Sequence, residues 1–165
     1  MNVWLKPASV RASYAYCLTA YDGNTNNFQC LLTTAGGKVM GGAGTASNQK
    51  TITSDTSHST SESEMWTMVY DGSATTTDKL KLYYNGVSEA TASGTLADTM
   101  TLNAYPSIGK QGDSGQPFFT GVVNNAQVFN RALTQAEITA LYDSTATSII
   151  TTGTSTIETS LQDRK

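Results

Sequence analysis

Three phrases in the second half of the chain decide its fold: MWTMVYDG at residues 65–72, KLKLYYNGV at residues 79–87, and FFTGVVNNAQVFNRAL at residues 118–133. The first two contain Asp-Gly and Asn-Gly pairs, which are typical of tight turns between antiparallel strands. In residues 79–84 apolar side chains alternate with lysines, as expected when one face of a strand is buried. The phrases predict three strands, with Trp66 as a structural residue of the core.

A capped helix is predicted directly after the third phrase. Thr134 and Glu137 form a Thr-x-x-Glu capping box, in which each side chain can bond a free backbone N–H group at the helix start. Leu133 and Ile138 occupy the two positions of a hydrophobic staple. The pattern predicts a helix over residues 135–142.

The rest of the chain is divided into short runs by clusters of Gly, Asn, Asp and Ser, which is typical of an all-β sandwich. Residues 1–7 are predicted to form one strand. Residues 12–21 and 28–33 are predicted to form a hairpin around a loop at residues 22–27. Residues 147–152 and 155–159, rich in Thr and Ile, are predicted to be extended. The expected fold is all-β: a two-sheet antiparallel β-sandwich of jelly-roll type with one short helix near the C-terminus.

The order of these phrases resembles the laminin-G-like branch of the concanavalin A-like lectin/glucanase superfamily. Members carry the patterns W…v…yDG, l.lYvNG and f.G.id.v.i.nraLs..Ei..ly in this order, and the resemblance implies the jelly-roll fold. Such domains begin with an additional strand that is not visible here, so we expect residues 147–159 or a neighbouring chain to take its place. Residues 1–146 are therefore predicted to form the sandwich, and residues 147–165 a C-terminal strand and tail that contact an assembly.

Composition limits the classes of partner. The 165 residues suit one domain. Charged residues make up only 14% of the chain, and Ser and Thr about a quarter, which is common on proteins that face the outside, virion surfaces included. The net charge of −3 and the absence of a basic stripe predict no nucleic-acid partner. No apolar run approaches the ~18 residues that cross a membrane. We therefore expect no membrane partner, and no signal peptide is visible.

The carboxylates expected of a glycoside hydrolase are missing from the sequence. Enzymes of the superfamily carry Glu-x-Asp-x-x-Glu on one strand, which places a nucleophile and an acid beside the glycosidic bond. The nearest approach is Glu62-Ser63-Glu64, which is predicted to lie in a solvated loop. The single histidine, His58, is accompanied by no Gly-x-Ser-x-Gly nucleophile elbow. The chain is therefore predicted not to be an enzyme.

Candidate binding residues concentrate in the first hairpin loop. The resemblance implies that calcium can bind through Asp, Asn and backbone oxygens at the rim of the sandwich, here Asp22, Asn24 and Asn26. No other cofactor is expected. A glycan site would combine an aromatic ring with polar side chains, and its candidates are Tyr21, Asp22, Asn24 and Asp113. Turn formation is the alternative role for the acidic and amide residues.

Two cysteines, Cys17 and Cys30, lie on the two arms of the first predicted hairpin. If Tyr21 pairs with Asn26, Cys17 lies directly opposite Cys30, at a separation that suits a disulfide. Two buried free thiols are the alternative. The sequence leaves both states open.

Three functions fit these observations. We expect first a non-enzymatic structural or display module on the exterior of a larger assembly, such as a capsid decoration or fibre protein on a virus or phage virion, with other protein subunits as partners. The alternative is a carbohydrate-binding or adhesion domain of a cell-surface or secreted protein, with glycans as partners. A glycoside hydrolase is the third, and the missing carboxylates argue against it. Fold alone does not choose among them.

Overall fold

The computed structural model describes residues 1–22, 27–45, 48–74, 78–92, 96, 106–110 and 118–152. Its strands are β1 (Asn2–Pro7), β2 (Ala15–Asp22), β3 (Asn27–Thr33), β4 (Lys38–Thr45), β5 (Asn48–Ser57), β6 (Glu64–Tyr70), β7 (Leu80–Tyr84), β8 (Val87–Ala92), β9 (Pro106–Ile108) and β10 (Gly121–Gln127). A helix, α1 (Gln135–Thr152), follows β10.

The strands form two five-stranded sheets that face each other. Sheet A has the order β10-β1-β6-β7-β8, and sheet B has the order β5-β4-β3-β2-β9. All pairings between neighbouring strands are antiparallel. The predicted two-sheet antiparallel β-sandwich of jelly-roll type, with one helix near the C-terminus, is confirmed.

Apolar side chains fill the space between the two sheets. Trp66, Met68 and Leu82 of sheet A pack with Leu31 and other apolar residues of sheet B, and all four are fully buried. Gly41 of β4 lies close to the side chain of Met68 across the core. A Cβ atom added to Gly41 would stand only 3.0 Å from Cγ of Met68. The predicted structural role of Trp66 agrees with its position in this core.

Helix α1 covers the outer face of sheet A. Leu133 and Ile138 are buried against Trp4 and Met65, which project outward from β1 and β6. The ring of Trp4 stacks on Tyr142, with centroids 5.7 Å apart and planes 8° from parallel. Strand β6 is therefore buried on both faces, which explains why apolar residues occupy successive positions in it rather than alternate ones.

The helix docks onto the predicted Asn-Gly turn between β7 and β8. Asn85 and Gly86 have φ angles of 47° and 83°, the left-handed conformations that such a turn requires. The carbonyl oxygen of Gly86 accepts hydrogen bonds from Nε2 of Gln135 at 2.6 Å and from Oγ1 of Thr139 at 3.2 Å. The turn therefore both joins two strands and holds the start of the helix.

The far end of the helix differs from the prediction. Helix α1 begins at Gln135 as expected but continues to Thr152, so the prediction that residues 147–152 are extended is wrong. No Gly or Pro occurs between the cap and Gly153, and the hydroxyl of Ser144 bonds back to the carbonyl of Leu141 within the helix. Residues 147–152 therefore do not form the additional strand that was expected of them, and residues 153–165 lie outside the described part. No helix described here is long and apolar enough to cross a bilayer.

The register of the first hairpin also differs from the expected one. Thr19, not Cys17, lies opposite Cys30, and Asp22 pairs with Asn27. A bulge between Tyr16 and Leu18 shifts the register beside Cys17. Both cysteines are buried free thiols, so the disulfide alternative is wrong for this structure. Burial raises the pKa of Cys30 to about 12, which keeps the thiol protonated at neutral pH.

Replacing Thr134 by alanine is expected to lower the free energy of unfolding by about 1 kcal/mol. Oγ1 of Thr134 accepts a bond from the backbone N–H of Glu137 at 3.3 Å, and Oε2 of Glu137 accepts one from the backbone N–H of Thr134 at 2.9 Å. Thr134→Ser, which keeps the hydroxyl, is the matched control. Urea unfolding measures the difference, and equal losses in the two variants would contradict the capping role.

The capping box also carries a pH dependence. Hydrogen bonds from Arg131 and then from Thr134 lower the pKa of Glu137 from 4.5 to about 2. The folded state therefore favours the ionised carboxylate of Glu137. Its contribution to the free energy of unfolding is complete above pH 4.5 and is lost as the pH falls towards 2.

Candidate functional site

A cleft of about 420 Å³ opens at one end of the sandwich. We call it the end cleft. It is lined by Met1, by Gln29 of β3, by residues 68–72 at the end of β6, and by residues 128–133, which link β10 to the helix. The two sheets and the link to α1 all contribute to its walls. Its volume lies in the range of small-molecule sites, about 300–1,000 Å³.

The Asp71-Gly72 turn forms one side of the end cleft. Oδ1 of Asp71 accepts hydrogen bonds from the backbone N–H and the hydroxyl of Ser73, at 3.0 Å and 2.6 Å. These bonds lower the pKa of Asp71, the side-chain bond from Ser73 being the largest cause. The backbone N–H of Asp71 also bonds to the carbonyl of Lys79 at 2.8 Å. The turn therefore holds a negative charge in a fixed position beside the cleft.

The segment between β10 and the helix forms the opposite side. Buried Leu133 anchors this segment in the cluster under α1. Arg131 makes a two-pronged bond to Glu137, with Nη2 and Nη1 donating to the two carboxylate oxygens at 2.6 Å and 2.9 Å. The guanidinium of Arg131, a residue that lines the cleft, is thereby held in one position.

Two side-chain amides in the end cleft are not used by the fold. Gln29 comes from sheet B and Asn130 from the segment after β10, and neither amide has a hydrogen-bond partner in the described part of the chain. Tyr70 and Phe129 also line the cleft. Each amide offers donors and an acceptor, so the cleft presents polar groups beside aromatic surface. This combination suits a ligand with several hydroxyl groups and an apolar face.

Of the binding residues predicted from the sequence, the structure describes Tyr21 and Asp22, which lie at the end of β2. Tyr21, half-buried, pairs with Phe28, and Asp22 ends β2, next to the loop at residues 23–26. Gln29 of the same hairpin reaches the end cleft. The other predicted ligands, Asn24, Asn26 and Asp113, lie outside the described residues. Within the described part no three His, Cys, Asp or Glu side chains converge on a metal position. Calcium in the first loop stays a prediction.

Sequence reasoning missed the polar residues of the end cleft. Asp71 was expected only as a turn residue, while Asn130 and Arg131 were noted only as part of a fold pattern. Gln29 stands in a predicted strand, and no local feature of the sequence sets it apart. Asn130 could have been recognised as a candidate binding residue, because the polar pair Asn130-Arg131 lies between an apolar strand and the helix.

The residues considered for catalysis do not meet in the end cleft. Glu64 was predicted in a solvated loop, which is wrong: it begins β6 and is 4% exposed. Its carboxyl group accepts bonds from the hydroxyl of Tyr84 at 3.0 Å and from the indole N–H of Trp66 at 3.3 Å. Burial and the neighbouring Glu64 raise the pKa of Tyr84 to about 12. Glu62 is exposed, so the two carboxyl groups do not share one open site.

The single histidine belongs to the folded interior rather than to an open site. His58 is 6% exposed, and its backbone N–H donates to the carbonyl of Gly37 at 2.8 Å. Its ring nitrogens have no hydrogen-bond partner in the described part of the chain.

Comparison with known families and structures agrees with this fold. The model of the Laminin_G_3 family, described as the concanavalin A-like lectin/glucanases superfamily, matches residues 1–139. No match is found among curated proteins. Two solved structures with similar folds are a heptameric SAP-like pentraxin from Limulus polyphemus and the CBM40 of Ruminococcus gnavus IT-sialidase, bound to α2,3-sialyllactose.

The pentraxin has a TM-score of 0.64 and 19% identity, over 86% of this chain and 67% of that chain. The CBM40 has a TM-score of 0.63 and 19% identity, over 86% of this chain and 80% of that chain. At this level of identity, the likeness to both structures is one of fold.

Proposed function

Because this chain belongs to the concanavalin A-like lectin/glucanase superfamily, we propose that it is a non-catalytic carbohydrate-binding domain whose binding site is the end cleft. The pair of unbonded amides, Gln29 and Asn130, is the observation that carries this proposal. An amide that lines a cleft without a protein partner can bond a ligand, and sugar hydroxyl groups are donors and acceptors of the right kind.

The other groups of the end cleft support the same ligand class. Asp71 presents an acceptor and Arg131 a fixed donor, while Tyr70 and Phe129 present ring surface to the C–H groups of a pyranose. The fold neighbour from Ruminococcus gnavus is a carbohydrate-binding module with a bound sialylated sugar, and this adds to the support. A calcium ion held by Asp22 and the loop after it would coordinate hydroxyl oxygens of a sugar at the same rim.

The alanine variants Asn130→Ala and Gln29→Ala are each expected to weaken glycan binding about three- to tenfold, because a hydrogen bond contributes about 0.5–1.5 kcal/mol. A panel of immobilised glycans identifies a ligand, and titration calorimetry then measures the dissociation constant. Asn130 is exposed and makes no bond within the described part, so its replacement should leave the unfolding midpoint unchanged.

Asn124→Ala is the matched control, since Asn124 is also exposed but lies on β10 opposite Trp4, away from the end cleft. The absence of any glycan ligand at millimolar concentration would contradict the proposed function. Binding that both cleft variants leave intact would place the site elsewhere.

A display module on the exterior of an assembly is the second candidate. The low content of charged residues, 14%, and the abundance of Ser and Thr support it. Its partners would be other protein subunits, with a virion surface as the expected location. Co-purification of the chain with assembled particles would favour this candidate, and the two functions are compatible when a displayed domain also binds glycans.

A further inference from the structure

A second exposed surface lies at the opposite end of β2 from the end cleft. We call it the basic aromatic patch, made of Arg11, Tyr14, Tyr16, Lys110 and Phe118. Phe118 is 65% exposed and Tyr14 is 50% exposed, and exposed apolar surface of this kind often marks a binding site. Gln29 of the end cleft pairs with Ala20, four residues along β2 from Tyr16 of the patch, which corresponds to roughly 13 Å along the strand. The two surfaces share no residue.

The fold holds the patch together by backbone contacts. Phe118 forms a bridge with Tyr16, and the N–H of Phe119 bonds to the carbonyl of Gly109 at 2.8 Å. The N–H of Gly109 bonds in turn to the carbonyl of Cys17 at 3.0 Å. These bonds fix Lys110 and Phe118 against the start of β2.

Two cations lie near Phe118, one bonded to its backbone carbonyl and one over its ring. Nη1 of Arg11 donates to the carbonyl oxygen of Phe118 at 3.0 Å and to Oγ1 of Thr120 at 2.8 Å. Nζ of Lys110 lies over the ring, 5.5 Å from its centroid. Neither cation has a carboxylate partner in the described part of the chain, although the chain carries a net charge of −3. Among the described residues, two cations without a carboxylate partner therefore lie beside aromatic surface, in a chain whose net charge is −3.

We propose that the basic aromatic patch is a second binding site, for a sugar that carries a carboxylate group. The cations supply the charge complement and the rings supply a surface for the pyranose. The net charge of −3 disfavours a long polyanion such as a nucleic acid, because such a ligand extends beyond the two cations. A single carboxylate stays within the roughly 8 Å over which the local charge acts at physiological salt.

Trigalacturonate and its methyl ester test this site, since the two probes share their sugars and differ only in charge. Arg11→Gln and Lys110→Gln are each expected to weaken trigalacturonate binding about three- to fivefold, and the double variant about tenfold. Lys50→Gln, a cation on β5 outside the patch, is the matched control. Lys110→Gln is the variant less apt to disturb folding, because the cation–π contact with Phe118 is the only polar or charged interaction of its side chain within the described part.

The protein is expected to bind trigalacturonate more tightly than the methyl ester. The proposal is supported if the Arg11 and Lys110 variants lose this preference while Lys50→Gln and Asn130→Ala keep it. Equal binding of the methyl ester overturns it, as does failure to bind trigalacturonate. A single-stranded oligonucleotide that displaces trigalacturonate at lower concentration would show a nucleic-acid site instead. Because Asn130→Ala affects only the end cleft, a failure of the proposed function there is distinguishable from a failure here.

Discussion

Replacing Trp66 by alanine is expected to lower the free energy of unfolding by about 3–5 kcal/mol, one of the two largest effects we predict. The side chain is fully buried between the sheets, and its ring lies 4.8 Å from that of Tyr84. Its removal leaves a large cavity and takes one of two hydrogen-bond donors from the buried carboxyl group of Glu64. A loss of this size is a large share of the stability of a typical domain, about 5–15 kcal/mol.

Trp66→Phe separates the two contributions. Phenylalanine keeps most of the apolar volume but lacks the indole N–H, so we expect a smaller loss of about 1–3 kcal/mol. Chemical unfolding followed by tyrosine fluorescence and circular dichroism measures both variants. Equal losses would mean that the hydrogen bond to Glu64, rather than the volume of the ring, carries the stability, contrary to our expectation.

Replacing Gly121 by alanine is expected to lower the free energy of unfolding by at least about 2–3 kcal/mol. Gly121 begins β10 with a φ angle of 148° and pairs with Pro7 of β1. A Cβ atom there would stand 2.3 Å from the carbonyl oxygen of Lys6 and 2.8 Å from Cα of Pro7. Both contacts are with backbone atoms, so no rotation of a neighbouring side chain relieves them. We expect β10 to separate from β1.

Two other glycines provide matched controls. A Cβ atom at Gly36 would meet nothing closer than Oγ1 of Thr34 at 3.9 Å, so Gly36→Ala should be nearly neutral. Gly109 has a φ angle of 76° but no atom within 4 Å, so Gly109→Ala measures the conformational strain without the clash. Thermal unfolding should show the largest loss of stability for Gly121→Ala, a smaller loss for Gly109→Ala and the smallest for Gly36→Ala. A neutral Gly121→Ala would contradict the close approach of β10 to β1.

The features that the sequence predicted correctly depend on neighbouring residues. The Asn85-Gly86 turn needs two residues that adopt positive φ, and the cap needs a threonine three positions before a glutamate. Alternation and turn spacing then indicate the number and class of strands. For these features the deciding interactions lie within a few positions along the chain, so the local sequence contains them.

Other features were decided only when distant segments packed together. The register of the first hairpin is set by a bulge beside Cys17, which alternation does not reveal. Glu64 looks like a surface residue in its polar stretch, yet packing of the sheets buries it between Trp66 and Tyr84. The helix continues past its predicted end because no glycine or proline stops it before Gly153.

The end cleft belongs wholly to this second group. Gln29 and Asn130 are about a hundred positions apart in the sequence, and they line one cleft only because β3 and the segment after β10 end at the same edge of the sandwich. The sequence by itself determined the sandwich, its turns and the start of its helix. Only the tertiary structure decided which polar side chains line a common cleft and make no hydrogen bond within the protein. Their positions depend on the packing of one sheet against the other rather than on any local pattern.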